Sequence, residues 1–202
     1  MIGKNKFKRM LLFLILVCFV VFLSGCATKN VEVKTVSNVR TTHTPTGTTP
    51  TPAKTIAPKG TLNNPASVGE TVIVNVGGRK LGITVEKAII GKEAWKIIEN
   101  ANMFNSEPKQ GYEYALVKIK FDYIKGEGSI YVSEYDFEAY VNGAGYSPAW
   151  VVLPNDKPEF EGVNLLPGGH TSGWIAFEVP KNGTILLAYK YLFEPICFIK
   201  IS

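Results

Sequence analysis

Nucleophilic catalysis needs a base beside the nucleophile. Over residues 61–202 this chain has one histidine, His170, and one cysteine, Cys197. A Ser–His–Asp arrangement would have to borrow a distant Ser129 or Ser172, and no Gly-x-Ser-x-Gly is present. His170, between Gly169 and Thr171, reads as an exposed turn residue at a strand start. Cys197, between Ile196 and Phe198, reads as a small buried hydrophobe. One His and one Cys cannot close a zinc site. Glu134, Asp136 and Glu138 alternate within a strand-like segment, which would set them on one face about 7 Å apart. Such a row suits a hard cation with oxygen ligands. It equally suits a solvated sheet face with Lys118 or Lys120 opposite, and that simpler reading is preferred. Asn155 to Glu161 is a second, weaker oxygen-rich candidate, diluted by Lys157 and Pro158. Gly77-Gly78 and Gly143-Ala144-Gly145 flank strands and read as turns, not phosphate cradles. The expectation is no catalytic residue and no cofactor.

Aromatic side chains are the more informative class. Tyr112 and Tyr114 fall on the face opposite Val117 and Ile119, and Trp174 falls opposite Ile175 and Phe177. Tyr and Trp give large contact area with few torsions to freeze, so these three are candidate partner-binding residues. The competing expectation is that a covering helix buries some of them. Asn182-Gly183-Thr184 is a glycosylation sequon on an expected turn.

Charge separates the chain into parts. The formal net charge is +5, yet residues 61–202 carry 13 cations against 16 acids. The basic excess lies upstream of the part expected to fold, which argues against nucleic-acid binding. Residues 1–9 are basic, 10–23 are apolar and uncharged, and small Ser24 and Gly25 precede Cys26. This is the layout of a secretory signal, with an apolar run short for a membrane span. Leu23-Ser24-Gly25-Cys26 resembles a lipobox, which implies acylation of Cys26 and removal of residues 1–25, Cys18 included. Residues 26–60 follow as an expected flexible tether. Ten of the 34 residues 27–60 are Thr and four are Pro, with no aromatic. His43 within it is expected to be inert.

The elements that must position these residues are mostly strands. TVIVNV (71–76), a Gly77-Gly78 turn and LGITVEKAII (81–90) form a hairpin pattern. YEYALVKIKFDY (112–123) puts Ala115, Val117, Ile119 and Phe121 on one face and Lys118, Lys120 and Asp122 on the other. Residues 129–141 alternate with Tyr131, Tyr135, Phe137, Ala139 and Val141 on one side, and Asn142-Gly143 turns into a strand over 145–153. Residues 171–179, 184–191 and 196–202 complete about eight strands. Residues 92–102 are the exception, because Ala94, Trp95, Ile98 and Ala101 make one helical face. That helix is expected to cap an edge or end with Trp95 and Ile98. The architecture expected over 61–202 is therefore an all-β antiparallel sandwich with one short helix.

Ala94-Trp95, Ile98, Ala101-Asn102, Phe104-Asn105, Pro108 and Gly111-Tyr112-Glu113-Tyr114 follow in order, with Val68-Gly69-Glu70 before them. Tyr135-Asp136-Phe137, Leu166-Pro167-Gly168-Gly169, Gly173-Trp174 and Phe177-Glu178-Val179-Pro180 come after. This ordered set resembles the family termed domain of unknown function DUF4352. The resemblance implies an immunoglobulin-like, telokin-type sandwich in secreted proteins and lipoproteins, and it implies no reaction. The expected function is a membrane-anchored extracytoplasmic lipoprotein whose non-enzymatic module binds a protein or envelope partner. The anchor would be membrane lipid, through Cys26. The alternatives are binding of a small solute or metal ion, and a hydrolase using His170.

Overall fold

The structure, a computed structural model, describes residues 32–36 and 57–202. The expected leader, Cys26, His43 and most of the expected tether lie outside the described residues. Two five-stranded sheets pack face to face. The first has the order β1 (Glu32–Val36), β3 (Thr71–Val76), β4 (Arg79–Ile90), β5 (Tyr112–Lys125), β10 (His170–Pro180). The second has the order β2 (Ala66–Ser67), β12 (Glu194–Lys200), β11 (Ile185–Tyr191), β7 (Phe137–Val141), β8 (Ala144–Tyr146). A short ribbon pairs β6 (Ile130–Val132) with β9 (Val163–Leu165). All pairings are antiparallel except β12 with β2. This is the expected sandwich, with twelve strands among the described residues rather than about eight.

The core follows from period-two alternation. Val117, Ile119 and Phe121 of β5 face Phe137 and Leu187 of the second sheet, and all are buried. Phe121 and Phe137 both pack on Tyr189, at ring separations of 5.3 and 5.6 Å. Burial pushes the Tyr189 hydroxyl pKa up.

Three hairpins close through two-residue turns with positive φ at both positions: Gly77-Gly78, Asn142-Gly143 and Leu192-Phe193. The first two use the residues that this turn favours. The third does not.

The helix, α1, spans Lys92–Ala101. It does not cap an end. It lies on the outer face of the first sheet, against β4 and β5, where buried Ala94 and Ile98 meet Ile89, Tyr114, Leu116, Trp174 and Ala176. Sheet strands with apolar residues on both faces demand such a second layer. Farther along the same outer face the residues turn polar: Lys118 pairs with Glu86 at 2.9 Å and Lys120 with Asp122 at 2.7 Å.

Three expected boundaries shift. The alternation over 129–141 breaks, because Ser133 and Asp136 form a capping box that winds Glu134–Asp136 into a 3-10 turn. Tyr131 and Tyr135 are therefore exposed, while Phe137, Ala139 and Val141 are buried. The strand expected over 145–153 ends at Tyr146, and 147–162 continues as an irregular segment. Glu32–Val36, inside the expected tether, pairs with β3 in a register from Glu32↔Asn75 to Val36↔Thr71. Val33, Thr35 and Val36 are β-branched and suit a strand. Packing also starts before residue 61. The Gly60 carbonyl accepts a 2.9 Å bond from the Phe198 N–H, and Lys59 pairs with Glu70.

Candidate partner-binding groove

The irregular segment 147–162 runs along β10, the strand that would otherwise be a bare sheet edge. The Ala149 N–H donates to the Ala176 carbonyl at 2.8 Å, the Trp174 N–H to the Pro158 carbonyl at 2.9 Å, and the Phe160 N–H to the Trp174 carbonyl at 2.9 Å. These bonds satisfy an edge that would invite pairing with another chain. Gly173 permits the crossing, since a Cβ there would overlap the backbone of Glu159 and Phe160. Phe160 then reaches the core and packs edge-on against Phe137 at 5.3 Å.

Asn105 fixes the other side of the segment. Its Oδ1 accepts from the Val152 N–H at 2.9 Å. Its Nδ2 donates to the Val152 carbonyl at 2.9 Å and to the Ile98 carbonyl at 2.7 Å. One side chain thus pairs with a residue as a neighbouring strand would, and ties it to α1.

Between these two attachments lies an open groove of about 650 Å³. Phe104, Tyr135, Trp150 and Val152 line it with the buried Trp174 at its floor. Trp150 is 91% exposed and Phe104 is 85% exposed. Its charged lining groups are Glu134, Glu159 and Glu161, all acidic.

The aromatic residues expected at a recognition surface are placed otherwise. Tyr114 and Trp174 are only 5% and 6% exposed, covered by α1 and the 147–162 segment. Tyr114 stacks on Trp95 at 6.0 Å and donates its hydroxyl to the Ser106 carbonyl at 3.1 Å, and burial raises its pKa. The physical reason is the apolar outer half of the first sheet, which must be covered. Tyr112 is half-buried, edge-on to Tyr146 at 6.2 Å, with the Lys109 ammonium 5.9 Å above its ring. The accessible aromatics are instead Phe104, Tyr135 and Trp150. Alternation along strands could not find them, because all three sit outside strands. A signal was present in AWVVLP (149–154), an apolar run with no alternation, closed by a proline.

The carboxylate row does not form. Asp136 caps its own turn, accepting from the Ser133 N–H at 2.8 Å, and burial raises its pKa. Glu138 accepts from the Tyr140 hydroxyl at 2.6 Å and lies 3.8 Å from the Lys190 ammonium. Burial and that carboxylate push Tyr140 up to about 12. Glu134 lines the groove alone of the three. Among the described residues no three His, Cys, Asp or Glu are placed to hold a metal ion. In the 155–161 loop, the Asp156 carboxylate is taken by Lys157 at 2.7 Å.

His170 is exposed, and its register partner is Asp122. The Asp122 carboxylate is engaged by Lys120 at 2.7 Å. No described hydrogen bond joins His170 to Ser129, Ser172 or Asp122. Cys197 is buried in β12, and burial pushes its thiol up to about 12. Asn182 is exposed on the β10–β11 turn with a left-handed backbone.

A two-sheet, mostly antiparallel β-sandwich with one short helix defines the fold class. The chain belongs to the family described as domain of unknown function DUF4352, whose sequence model matches residues 66–198. No curated protein matches it. Among solved structures it is similar to the ycdA protein of Bacillus subtilis, at 12% identity and a TM-score of 0.47, covering 63% of this chain and 39% of that one. It thus spans well under half of that structure. It is also similar to the yjhA protein of Bacillus subtilis, at 15% identity and a TM-score of 0.46, covering 68% of this chain and 99% of that one. A third similar structure is MPT63, a secreted protein of Mycobacterium tuberculosis, at 17% identity and a TM-score of 0.47, covering 73% of this chain and 99% of that one.

Proposed function

We propose that this protein is a membrane-anchored extracytoplasmic lipoprotein whose sandwich is a non-enzymatic binding module. Its partner is a protein or other envelope component, and the groove beside β10 is the contact surface. The observation carrying this reading is the exposure of Phe104 and Trp150 over a groove whose charged lining is wholly acidic. Large aromatics held by a fixed backbone are the side chains that most often anchor interfaces. An acidic rim selects a partner presenting apolar groups flanked by cations, and repels acidic competitors. The lipobox-like Leu23-Ser24-Gly25-Cys26 supports acylation at Cys26 and an extracytoplasmic setting.

The test is photo-crosslinking in living cells of the source, from a reactive residue substituted at Trp150, with one at Lys200 as control. One envelope component, recovered from position 150 and absent from position 200, is the expected result. Its recovery is lost when Phe104→Ser is added, while the melting temperature stays within a degree or two, since Phe104 is already exposed. Equal, heterogeneous adducts at both positions overturn the groove as the contact surface.

A further inference from the structure

We propose that the end of the sandwich carrying the Leu192-Phe193 turn docks onto the bilayer that holds the acylated Cys26. The proposal rests on the anchoring reading above and adds an orientation to it.

The turn breaks the pattern of its own molecule. Gly77-Gly78 and Asn142-Gly143 occupy the same two-residue hairpin conformation with residues suited to positive φ. Leu192 and Phe193 adopt it at φ 51° and 69°, where side chains of this size are outliers. They gain little burial in exchange, being 67% and 93% exposed. Two apolar side chains held in a disfavoured backbone and pointed at solvent indicate a surface to be met.

The surroundings say which surface. The Tyr191 hydroxyl occupies the space that a Cβ at Gly77 would need, so this tip and the β3–β4 tip share one end of the sandwich. Lys80 and Lys125 stand directly opposite each other on β4 and β5 at that end, both exposed. Like charges so placed oppose pairing, and an anionic layer outside would compensate them. Arg79 and the partly exposed Ile124 lie beside them, and Glu127, Glu194 and Glu32, opposite Asn75 on β1, are the acids of this end. The groove lies away from this end, since its floor residue Trp174 pairs with Lys118, midway along β5.

Chain length supplies the remaining argument. Glu32 pairs with Asn75, two residues from Gly77, so β1 begins at this same end. Only residues 27–31 separate Glu32 from Cys26. Six extended steps reach about 20 Å at most. An acylated Cys26 therefore keeps Glu32, near the Leu192-Phe193 end, within about 20 Å of the lipid, and the 26–60 segment cannot act as a long stalk while β1 is paired.

The experiment uses the full chain, purified from bacterial membranes and reconstituted in vesicles of phosphatidylglycerol and bromine-labelled phosphatidylcholine. A fluorophore is attached at Glu194→Cys or, in a second protein, at Trp150→Cys, with Cys197 protected by burial. Mass spectrometry reports the state of Cys26. The expected result is bromolipid quenching at 194 at least threefold that at 150, reduced by high salt. Adding Leu192→Asn and Phe193→Gly, which suit the turn, lowers it to the level of 150 without lowering the melting temperature. Equal quenching at 194 and 150 in chains with acylated Cys26 overturns the docking and leaves the anchoring intact. An unmodified Cys26 overturns the anchoring and the docking with it.

Discussion

Asn105 should be worth more to this fold than its half-exposed position suggests. Its amide makes three hydrogen bonds, to the Ile98 carbonyl and to both backbone groups of Val152. Neutral hydrogen bonds contribute about 0.5–1.5 kcal/mol each, and solvent access places these toward the lower end. Asn105→Ala is expected to cost about 1.5–2 kcal/mol, or roughly 4–7 °C in melting temperature for a domain of this size. Asn105→Asp gives the sharper test, because it keeps the acceptor for the Val152 N–H. It replaces a donor by an oxygen facing two carbonyls, at 2.7 and 2.9 Å. At neutral pH it should be worse than Ala by about 1 kcal/mol, the cost of unsatisfied and opposed acceptors. The carboxyl introduced there would have a folded pKa above its unfolded one. The Asp variant should therefore regain stability as pH falls toward its unfolded pKa and lose it as pH rises through the folded value. Urea unfolding followed by the emission of buried Trp174 measures all three proteins. An unchanged midpoint for Asn105→Ala, or an Asp variant no worse than Ala at pH 7, refutes the account of this side chain as a strand substitute.

Other outcomes follow from single features. Leu192→Asn with Phe193→Gly should raise stability by about 1–2 kcal/mol, since the left-handed penalty is removed and little burial is lost; a melting temperature that falls would contradict this. Gly173→Ala should displace residues 158–160 from β10 and lower the melting temperature, with amide exchange at Phe160 and Trp174 accelerating first. Cys197 should resist a disulfide reagent at pH 8 until urea unfolds the domain, because its thiol is buried with a pKa near 12. Lys59 and the Ser67 N–H hold the Glu70 carboxyl below its usual value of 4.5. The native advantage over Glu70→Gln should thus be full above pH 4.5 and vanish as pH falls through the folded pKa, as thermal melts across pH would show.

The sequence announced the sandwich because half of each core strand repeats with period two. Val117, Ile119 and Phe121 alternate with Lys118, Lys120 and Asp122, and glycine or Asn-Gly pairs mark two hairpins. Leu192-Phe193 carried no turn signal, because its conformation runs against residue preference. Tyr114 and Trp174 misled for a different reason. Alternation assigns them a face but cannot say whether α1 will cover it, and here it does. The groove was the least legible part. Its walls depend on Asn105 meeting Val152, 47 residues away, and on Gly173 admitting a crossing backbone. Neither contact leaves a periodic trace in the chain.

β1 has a mechanical consequence. It lies antiparallel on β3 with Glu32 at the Gly77 end and Val36 toward the opposite end. Tension drawn on the chain upstream of Glu32, outward past that end, runs along the strand axis. It loads the β1–β3 hydrogen bonds in shear, together, instead of peeling them one at a time. The edge strand is thus a clasp that resists pulling from the N-terminal side, and its failure under force would be abrupt.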